Sequence, residues 1–125
     1  IYLSGQGADE IFSDYAGVNN SIFSSFAGNF PTNLESIWPW PNFFVGTQVQ
    51  FINKEEVVSG TYGVETRYPF LDVGVVQEFL CLSASLKNRR YKSVLDNYLQ
   101  QHDFPYAAGE KRGFNPVEGL KILLG

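Results

Sequence analysis

The order of hydrophobic and polar positions predicts one strand followed by several helices. Residues 1–3 are apolar and predict the end of a short buried strand, and residues 4–7 predict a tight turn. From Ala8 onward, apolar positions recur with helical spacing. An α/β fold places phosphate at such a junction of strand, glycine turn and helix, because free backbone N–H groups and the helix dipole meet there. Glycines in one turn are by themselves a weak indication, since ordinary turns also contain them.

The remaining pattern predicts helices separated by one long loop. Residues 16–33 show no period and predict the loop. The predicted helical segments are a short one capped by Thr32 or Asn33, a long one over residues 43–59, one capped by Asp72, one over residues 90–102, and a last one from Pro116. Trp38 and Trp40 are predicted to fill the core. The chain is therefore predicted to be mostly α-helical with one N-terminal strand, and we expect the partner strands of that strand upstream of Ile1.

Composition indicates a globular protein that forms part of a longer chain. The 125 residues are 44% hydrophobic and 18% charged, which allows one domain at most and excludes a disordered tail. The sequence starts at Ile1 and contains no Met, so we expect a processed product or a piece of a longer protein. All apolar runs are far shorter than the roughly 20 residues of a membrane span, and no signal peptide is visible. We predict a cytoplasmic protein without a membrane partner.

Charge and the rare residue types exclude further classes. The chain has one cysteine, Cys81, and one histidine, His102, and these counts exclude a disulfide framework and a multi-cysteine zinc site. The net charge of −4 disfavours a nucleic-acid partner. All nine Lys and Arg residues lie at or after Lys54, and residues 87–92 hold a cluster of them. That cluster is either the solvated start of a helix or an anion site, because clustered cations attract phosphate.

Three segments are more specific in combination than any one of them is alone. Residues 1–12 read IYLSGQGADEIF, residues 62–72 read YGVETRYPFLD, and residues 111–116 read KRGFNP downstream of Lys92. In the same order, they resemble the SGEGADE segment, the GVExRxPFLD segment, and the downstream lysine with the KxGFxxP segment of asparagine synthetases. The resemblance covers nearly the whole chain and is least clear over residues 16–43.

The resemblance implies an α/β parent domain of the adenine nucleotide α-hydrolase type and an ATP-dependent ligase activity. Such a ligase activates a carboxylate as an acyl-adenylate, releases pyrophosphate, and forms an amide with ammonia that a glutaminase domain supplies from glutamine. The implied substrate is aspartate or a similar carboxylate, and the implied cofactors are ATP and Mg²⁺. The family's SGGxDS nucleotide loop and its glutaminase domain are absent from residues 1–125. We therefore expect the C-terminal part of a synthetase domain, which is inactive without the missing N-terminal part of the same protein.

The resemblance also implies roles for single residues. Ser4 and Gly5 would lie against ATP, Asp9 would hold the Mg²⁺ that bridges pyrophosphate, Lys92 would stabilise the adenylation transition state, and Glu65 matches the glutamate of the catalytic dyad in the related β-lactam synthetases. Simple chemistry agrees, since carboxylates suit Mg²⁺ and fixed cations stabilise the charge that moves onto pyrophosphate. The structural alternatives are a helix-dipole partner for Asp9, a plain ion pair of Glu65 with Arg67, and a solvent-facing Lys92.

Gln6, a candidate catalytic position, is the most informative departure from the family. Asparagine synthetases usually have Glu there, and an amide cannot act as a general base. Either Glu65 or Glu10 takes the proton, or the chemistry differs from standard asparagine synthesis. Smaller departures are Asp96 and Gly109, where the family often has arginine. Two alternatives therefore stay open: a relative that adenylates another carboxylate, as in β-lactam ring closure, and a degenerate domain without catalysis.

Overall fold

The computed structural model describes residues 1–12, 29–90 and 92–106. Most of the predicted loop at residues 16–33, the KRGFNP segment at residues 111–116, and the predicted last helix lie outside the described residues.

Within these ranges the protein is mostly helical, as predicted, and two short strands accompany the helices. In chain order, the elements are β1 (Tyr2–Leu3), α1 (Ala8–Phe12), a 3₁₀ turn (Leu34–Ser36), α2 (Pro41–Phe44), α3 (Thr47–Thr61), β2 (Thr66–Arg67), a second 3₁₀ turn (Pro69–Leu71), α4 (Val73–Cys81), α5 (Ala84–Lys87) and α6 (Ser93–Gln101). The prediction of a single strand is therefore wrong. A strand as short as β2 has too few residues to show an alternating pattern.

The two strands form a parallel pair. Tyr2 lies opposite Thr66, and Leu3 lies opposite Arg67. The predicted burial of β1 is wrong for the described chain, since Tyr2 is 49% and Leu3 is 68% exposed. Thr66 is buried, and its hydroxyl donates to Ser59 Oγ at 2.7 Å. That bond ties β2 to the end of α3, so the strand pair is held by a helix on the β2 side.

Local capping signals set several helix ends where the sequence predicts them. Asp72 Oδ1 accepts the backbone N–H of Gly74 at 2.9 Å and that of Val75 at 3.3 Å, which starts α4. Asn33 Oδ1 caps the first 3₁₀ turn by accepting the N–H of Glu35 at 3.0 Å. Both predictions of caps are confirmed.

The predicted helix over residues 43–59 is instead two helices, α2 and α3. Gly46 separates them with a positive φ of 66°, a conformation that glycine adopts without steric cost. Asn42 Oδ1 accepts both the backbone N–H and the hydroxyl of Thr47, at 3.2 and 3.0 Å. A side chain thus replaces the helical hydrogen bonds at the break, which hydrophobic spacing alone does not predict.

Aromatic rings dominate the core. The buried hydrophobic residues are Ile11, Phe12, Phe30, Trp40, Phe43 and Phe79. The rings of Phe30 and Phe79 lie 5.4 Å apart, and edge-to-face pairs of this kind contribute about 0.5–1.5 kcal/mol each beyond their burial. Trp40 is a core residue, as predicted, and its Nε1 donates to Glu10 O at 2.7 Å. Trp38 is also predicted to fill the core, but it is 39% exposed, so that prediction is wrong in part. The core holds α1 against α2 and α4.

Every helix in the described ranges is too short or too polar to cross a lipid bilayer.

Lys87 is a buried cation at the end of α5. It is 4% exposed, and its Nζ donates to Leu80 O at 2.9 Å. The same atom lies 5.1 Å from the ring centre of Phe79 and 5.5 Å from that of Phe30, within reach of cation–π attraction. Burial lowers the pKa of the Lys87 ammonium below its ordinary 10.5.

This lowered pKa predicts a pH-dependent contribution to stability. The unfolded chain keeps the proton up to about 10.5, whereas the folded protein releases it earlier. In that interval the unfolded state binds more protons, so stability from this group rises with pH. We expect the difference in free energy of unfolding, wild type minus Lys87→Met, to increase from neutral pH toward 10.5. Denaturant titrations at a series of pH values measure it, and a flat difference would contradict the lowered pKa.

Candidate active site

The turn after β1 combines a buried hydroxyl with open backbone. Ser4 is buried, and its Oγ accepts the backbone N–H of Gln6 at 3.1 Å. Gly5 is exposed, and a Cβ placed there would meet nothing within 4 Å. The open side of Gly5 leaves room for a ligand against the main chain, and the Ser4 hydroxyl keeps its own proton for donation. Both predicted ATP-contacting residues therefore lie in one turn, which is exposed at Gly5 and buried at Ser4.

Gly7 closes the same turn by packing against the second motif. Its φ is +92°, and a Cβ there would lie 2.3 Å from Leu71 Cδ2. A methyl group there would force Leu71 to shift, and the positive φ itself disfavours any side chain. Leu71 ends the second 3₁₀ turn, within the YGVETRYPFLD segment, so the first two motifs are in direct contact.

The strand pair joins these two motifs through backbone hydrogen bonds as well. The N–H of Tyr2 donates to Glu65 O at 2.8 Å, and the N–H of Ser4 donates to Arg67 O at 2.9 Å. The second bond fixes the residue that begins the glycine turn. The YGVETRYPFLD segment therefore holds the glycine turn in position through the backbone of Arg67.

Asp9 and Lys92, which are far apart in sequence, form an ion pair in the folded protein. The Asp9 carboxylate lies in the first turn of α1 and its side chain is 31% exposed. The Lys92 side chain is 28% exposed. The structure thus brings together the residue proposed to hold Mg²⁺ and the residue proposed to stabilise the transition state. Lys92 is not a freely solvent-facing side chain.

Lys92 lies before α6 rather than inside a helix, which corrects the predicted helix over residues 90–102. It is the N-cap residue of α6 and adopts φ 49° and ψ 37°, the left-handed conformation. The hydrophobic spacing that predicts the helix continues through this point because it describes side-chain polarity and not backbone conformation.

Glu65 has an ion-pair partner of its own in β2. Its carboxylate forms an ion pair with Arg67 Nη2, and the two side chains are 54% and 62% exposed. The ion pair expected as the structural alternative is therefore present. Exposed pairs of this kind add little to stability, so the contact does not decide against a catalytic role for Glu65.

Glu10, the other candidate proton acceptor, is 1% exposed and lies in the core on α1. Gln6 is half-buried in the turn that precedes that helix.

The cations of residues 87–92 do not form one solvated patch. Lys87 is buried, Arg90 pairs with Asp96, and Lys92 pairs with a carboxylate of α1. Neither expectation for this cluster, a solvated helix start or a shared anion site, describes Lys87. Lys87, Arg90 and Lys92 each contact a different partner, so these three side chains do not form a continuous basic surface.

The chemistry of Asp9 suits Mg²⁺ that is shared with a nucleotide. In the described part of the chain, no group of three or more His, Cys, Asp or Glu side chains could hold a metal ion. Mg²⁺ at ATP-dependent sites is commonly held by one or two carboxylates together with phosphate oxygens. A single half-exposed carboxylate next to an open glycine turn fits that arrangement.

One contact near the site was not predicted. The Tyr68 hydroxyl donates to Glu56 Oε1 at 2.8 Å and so links the segment after β2 to α3. Loss of solvent contact and then this bond raise the pKa of Tyr68 to about 12. No sequence pattern connects the two residues, because their pairing depends on how α3 lies against β2.

A cavity of ≈ 450 Å³ lies elsewhere in the described chain, lined mainly by apolar side chains such as Ile11, Phe43 and Leu80. None of the predicted site residues lines it.

No protein-family model, curated protein or solved structure matches this chain.

Proposed function

We propose that this chain is the C-terminal part of an ATP-dependent synthetase domain of the asparagine-synthetase type. The proposed reaction activates a carboxylate, aspartate or a similar molecule, as an acyl-adenylate, and ammonia from glutamine then forms the amide. The observation that carries the proposal is the ion pair between Asp9 and Lys92 beside the Ser4–Gly7 turn. The proposal includes an α/β parent domain, whose further strands would extend the β1–β2 pair.

The geometry supports a division of tasks among the residues of this site. The open main chain at Gly5 and the hydroxyl of Ser4 would bind the nucleotide. Asp9 would hold Mg²⁺, which when bound neutralises negative charge on the pyrophosphate. The Lys92 ammonium would stabilise the charge that builds up on the leaving group, and a fixed cation at such a point is an effective catalyst because it needs no reorganisation during the reaction.

The ion pair explains how both charges are kept in place between turnovers. Lys92 approaches from the N-cap of α6, and Asp9 approaches from α1. Each charge compensates the other, so the half-buried ammonium does not require a separate anion. An incoming polyphosphate offers new anionic partners to the lysine and leaves Asp9 available to a cation.

Carboxylate-dependent exchange of labelled pyrophosphate into ATP tests the proposal in the full-length protein. We expect exchange in the presence of Mg²⁺ and aspartate or one other carboxylate, and none without a carboxylate. Calorimetric titration with Mg-ATP is the companion measurement. Failure to bind Mg-ATP would overturn the proposal and favour a degenerate domain, whereas exchange only with a carboxylate other than aspartate would identify the alternative ligase.

Gln6 is the residue that favours this alternative ligase as a second candidate, because it replaces the family's glutamate. We expect Gln6→Glu to change the rate of amide formation severalfold and to leave the KM for ATP nearly unchanged, since the backbone of Gln6 and not its side chain bonds Ser4. Steady-state kinetics on the full-length protein measure both constants, with Gln50→Glu on exposed α3 surface as the matched control. If neither constant changes, Gln6 lies outside the chemical path.

A further inference from the structure

The backbone of Lys92 is in a conformation that few side-chain-bearing residues adopt. Its φ of 49° lies in the left-handed region, which is unfavourable for a residue with a Cβ. Lys92 also makes no side-chain cap bond to α6. Strained residues of this kind persist only where their surroundings over-determine them, and they are common at functional sites. The surroundings of Lys92 therefore need to supply the constraint.

Arg90 and Asp96 supply it by bridging across Lys92. Arg90 Nε forms an ion pair with Asp96 Oδ2, and Arg90 Nη2 donates to Gln100 Oε1 at 3.0 Å, further along α6. On the main chain, the N–H of Ser93 donates to Arg90 O at 3.1 Å and the N–H of Asp96 donates to Lys92 O at 3.0 Å. Arg90, which precedes Lys92 in the chain, is thus tied to α6, which follows it.

The Asp96 carboxylate is fixed on its other side too. Its side chain is 11% exposed, and the Tyr106 hydroxyl donates to Oδ1. The same hydroxyl lies 3.2 Å from Asp96 O. The hydrogen bond to Asp96 raises the pKa of Tyr106. With Arg90 on one oxygen and Tyr106 on the other, this buried carboxylate has two directional partners and little freedom to rotate.

We propose that Asp96, held between Arg90 and Tyr106, is a positioning residue that fixes the left-handed turn at Lys92 and so directs the Lys92 amine toward Asp9. Asp96 would act through the turn and not through contact with a substrate. The significance of Asp96 for catalysis rests on the proposed function, whereas its effect on the position of the Lys92 amine is independent of that function. An ordinary structural role, in which Asp96 only stabilises the start of α6, would leave the direction of Lys92 unchanged in the folded protein.

Lysine acylation followed by mass spectrometry separates these two roles without any need for ATP. In the folded full-length protein, we expect the amine of Lys92 to react slowly relative to that of Lys54, because Lys92 is ion-paired and half-buried whereas Lys54 is exposed. We expect Asp96→Asn to raise the Lys92:Lys54 labelling ratio severalfold and Tyr106→Phe to raise it less. The matched control is Asp103→Asn, an exposed residue with φ 49°, where asparagine is equally tolerated.

Pyrophosphate exchange provides the second readout. We expect Asp96→Asn to lower kcat about tenfold with the KM for ATP within twofold, since a misdirected cation weakens transition-state stabilisation more than binding. A labelling ratio that stays at the wild-type value in both folded variants would overturn the proposal. If Asp96→Asn does not fold, the ratio in Tyr106→Phe decides alone. A raised ratio in a protein without exchange activity would support the positioning role while the proposed function fails.

Discussion

Replacement of Lys92 by Met should lower carboxylate-dependent pyrophosphate exchange by about 10²–10³-fold, the usual effect of removing one preorganised group that stabilises transition-state charge. Methionine has an unbranched side chain of similar length to the aliphatic part of lysine. Because both residues carry a Cβ, they tolerate the left-handed conformation equally. The effect therefore reports the ammonium itself. We expect most of the loss in kcat and little change in the KM for ATP, because the charge matters most when pyrophosphate leaves.

Lys54→Met is the matched control, since Lys54 lies on the exposed surface of α3 and should leave exchange unchanged. Asp9→Asn should also lower exchange. The double variant of Asp9 and Lys92 should lose less than the product of the two single losses, because residues in one ion pair act as a unit. Exchange in Lys92→Met at the wild-type rate would remove Lys92 from the chemistry and with it the main support for the proposed function.

The features that sequence patterns predict correctly are those with a local physical cause. Asp72 caps α4 because a short carboxylate reaches backbone N–H groups two and three residues ahead, and this needs no tertiary contact. Trp40 is predicted for the core because so large a ring gains more from burial than most side chains, and it is 2% exposed. The existence of α4 and the 3₁₀ turn before α2 follows from the same local rules.

The features that sequence patterns miss depend on which side chains meet in the folded protein. Nothing near Lys87 in the sequence indicates that Phe79 and Leu80 bury its ammonium, so a basic cluster reads as solvated surface. The break at Gly46 depends on Asn42 accepting from Thr47, and a hydrophobic period continues through it. A local hydrophobic pattern therefore predicts that a segment is helical better than it predicts where the helix is interrupted.

The candidate site follows the same rule. Spacing along the chain does not predict that Asp9 and Lys92 meet, and only the family resemblance placed both at one site. The role that we propose for Asp96 had no signal other than a departure from the family pattern. Its partners Arg90 and Tyr106 flank α6 and become visible only when that helix is formed.

Replacement of Gly7 by Ala should be the most destabilising small change near the site. The new methyl group would lie 2.3 Å from Leu71 Cδ2 and 2.6 Å from Leu71 Cγ, and φ is +92°. Steric strain of the backbone contributes roughly 1–2 kcal/mol, and overpacking roughly 1–3 kcal/mol. We expect a loss of about 2–5 kcal/mol in the free energy of unfolding, measured by denaturant titration of the full-length protein.

Gly5→Ala is the matched control, because a Cβ at Gly5 meets nothing within 4 Å and its backbone is not in the left-handed region. We expect that variant within about 0.5 kcal/mol of wild type, as for most exposed substitutions. Leu71→Ala in the Gly7→Ala background should recover the part of the loss that comes from overlap and leave the part that comes from φ. Equal stability of the Gly5 and Gly7 variants would mean that the glycine turn does not pack against the YGVETRYPFLD segment. The contact that aligns the first two motifs, and with it the position of the turn beside Asp9, would then need another explanation.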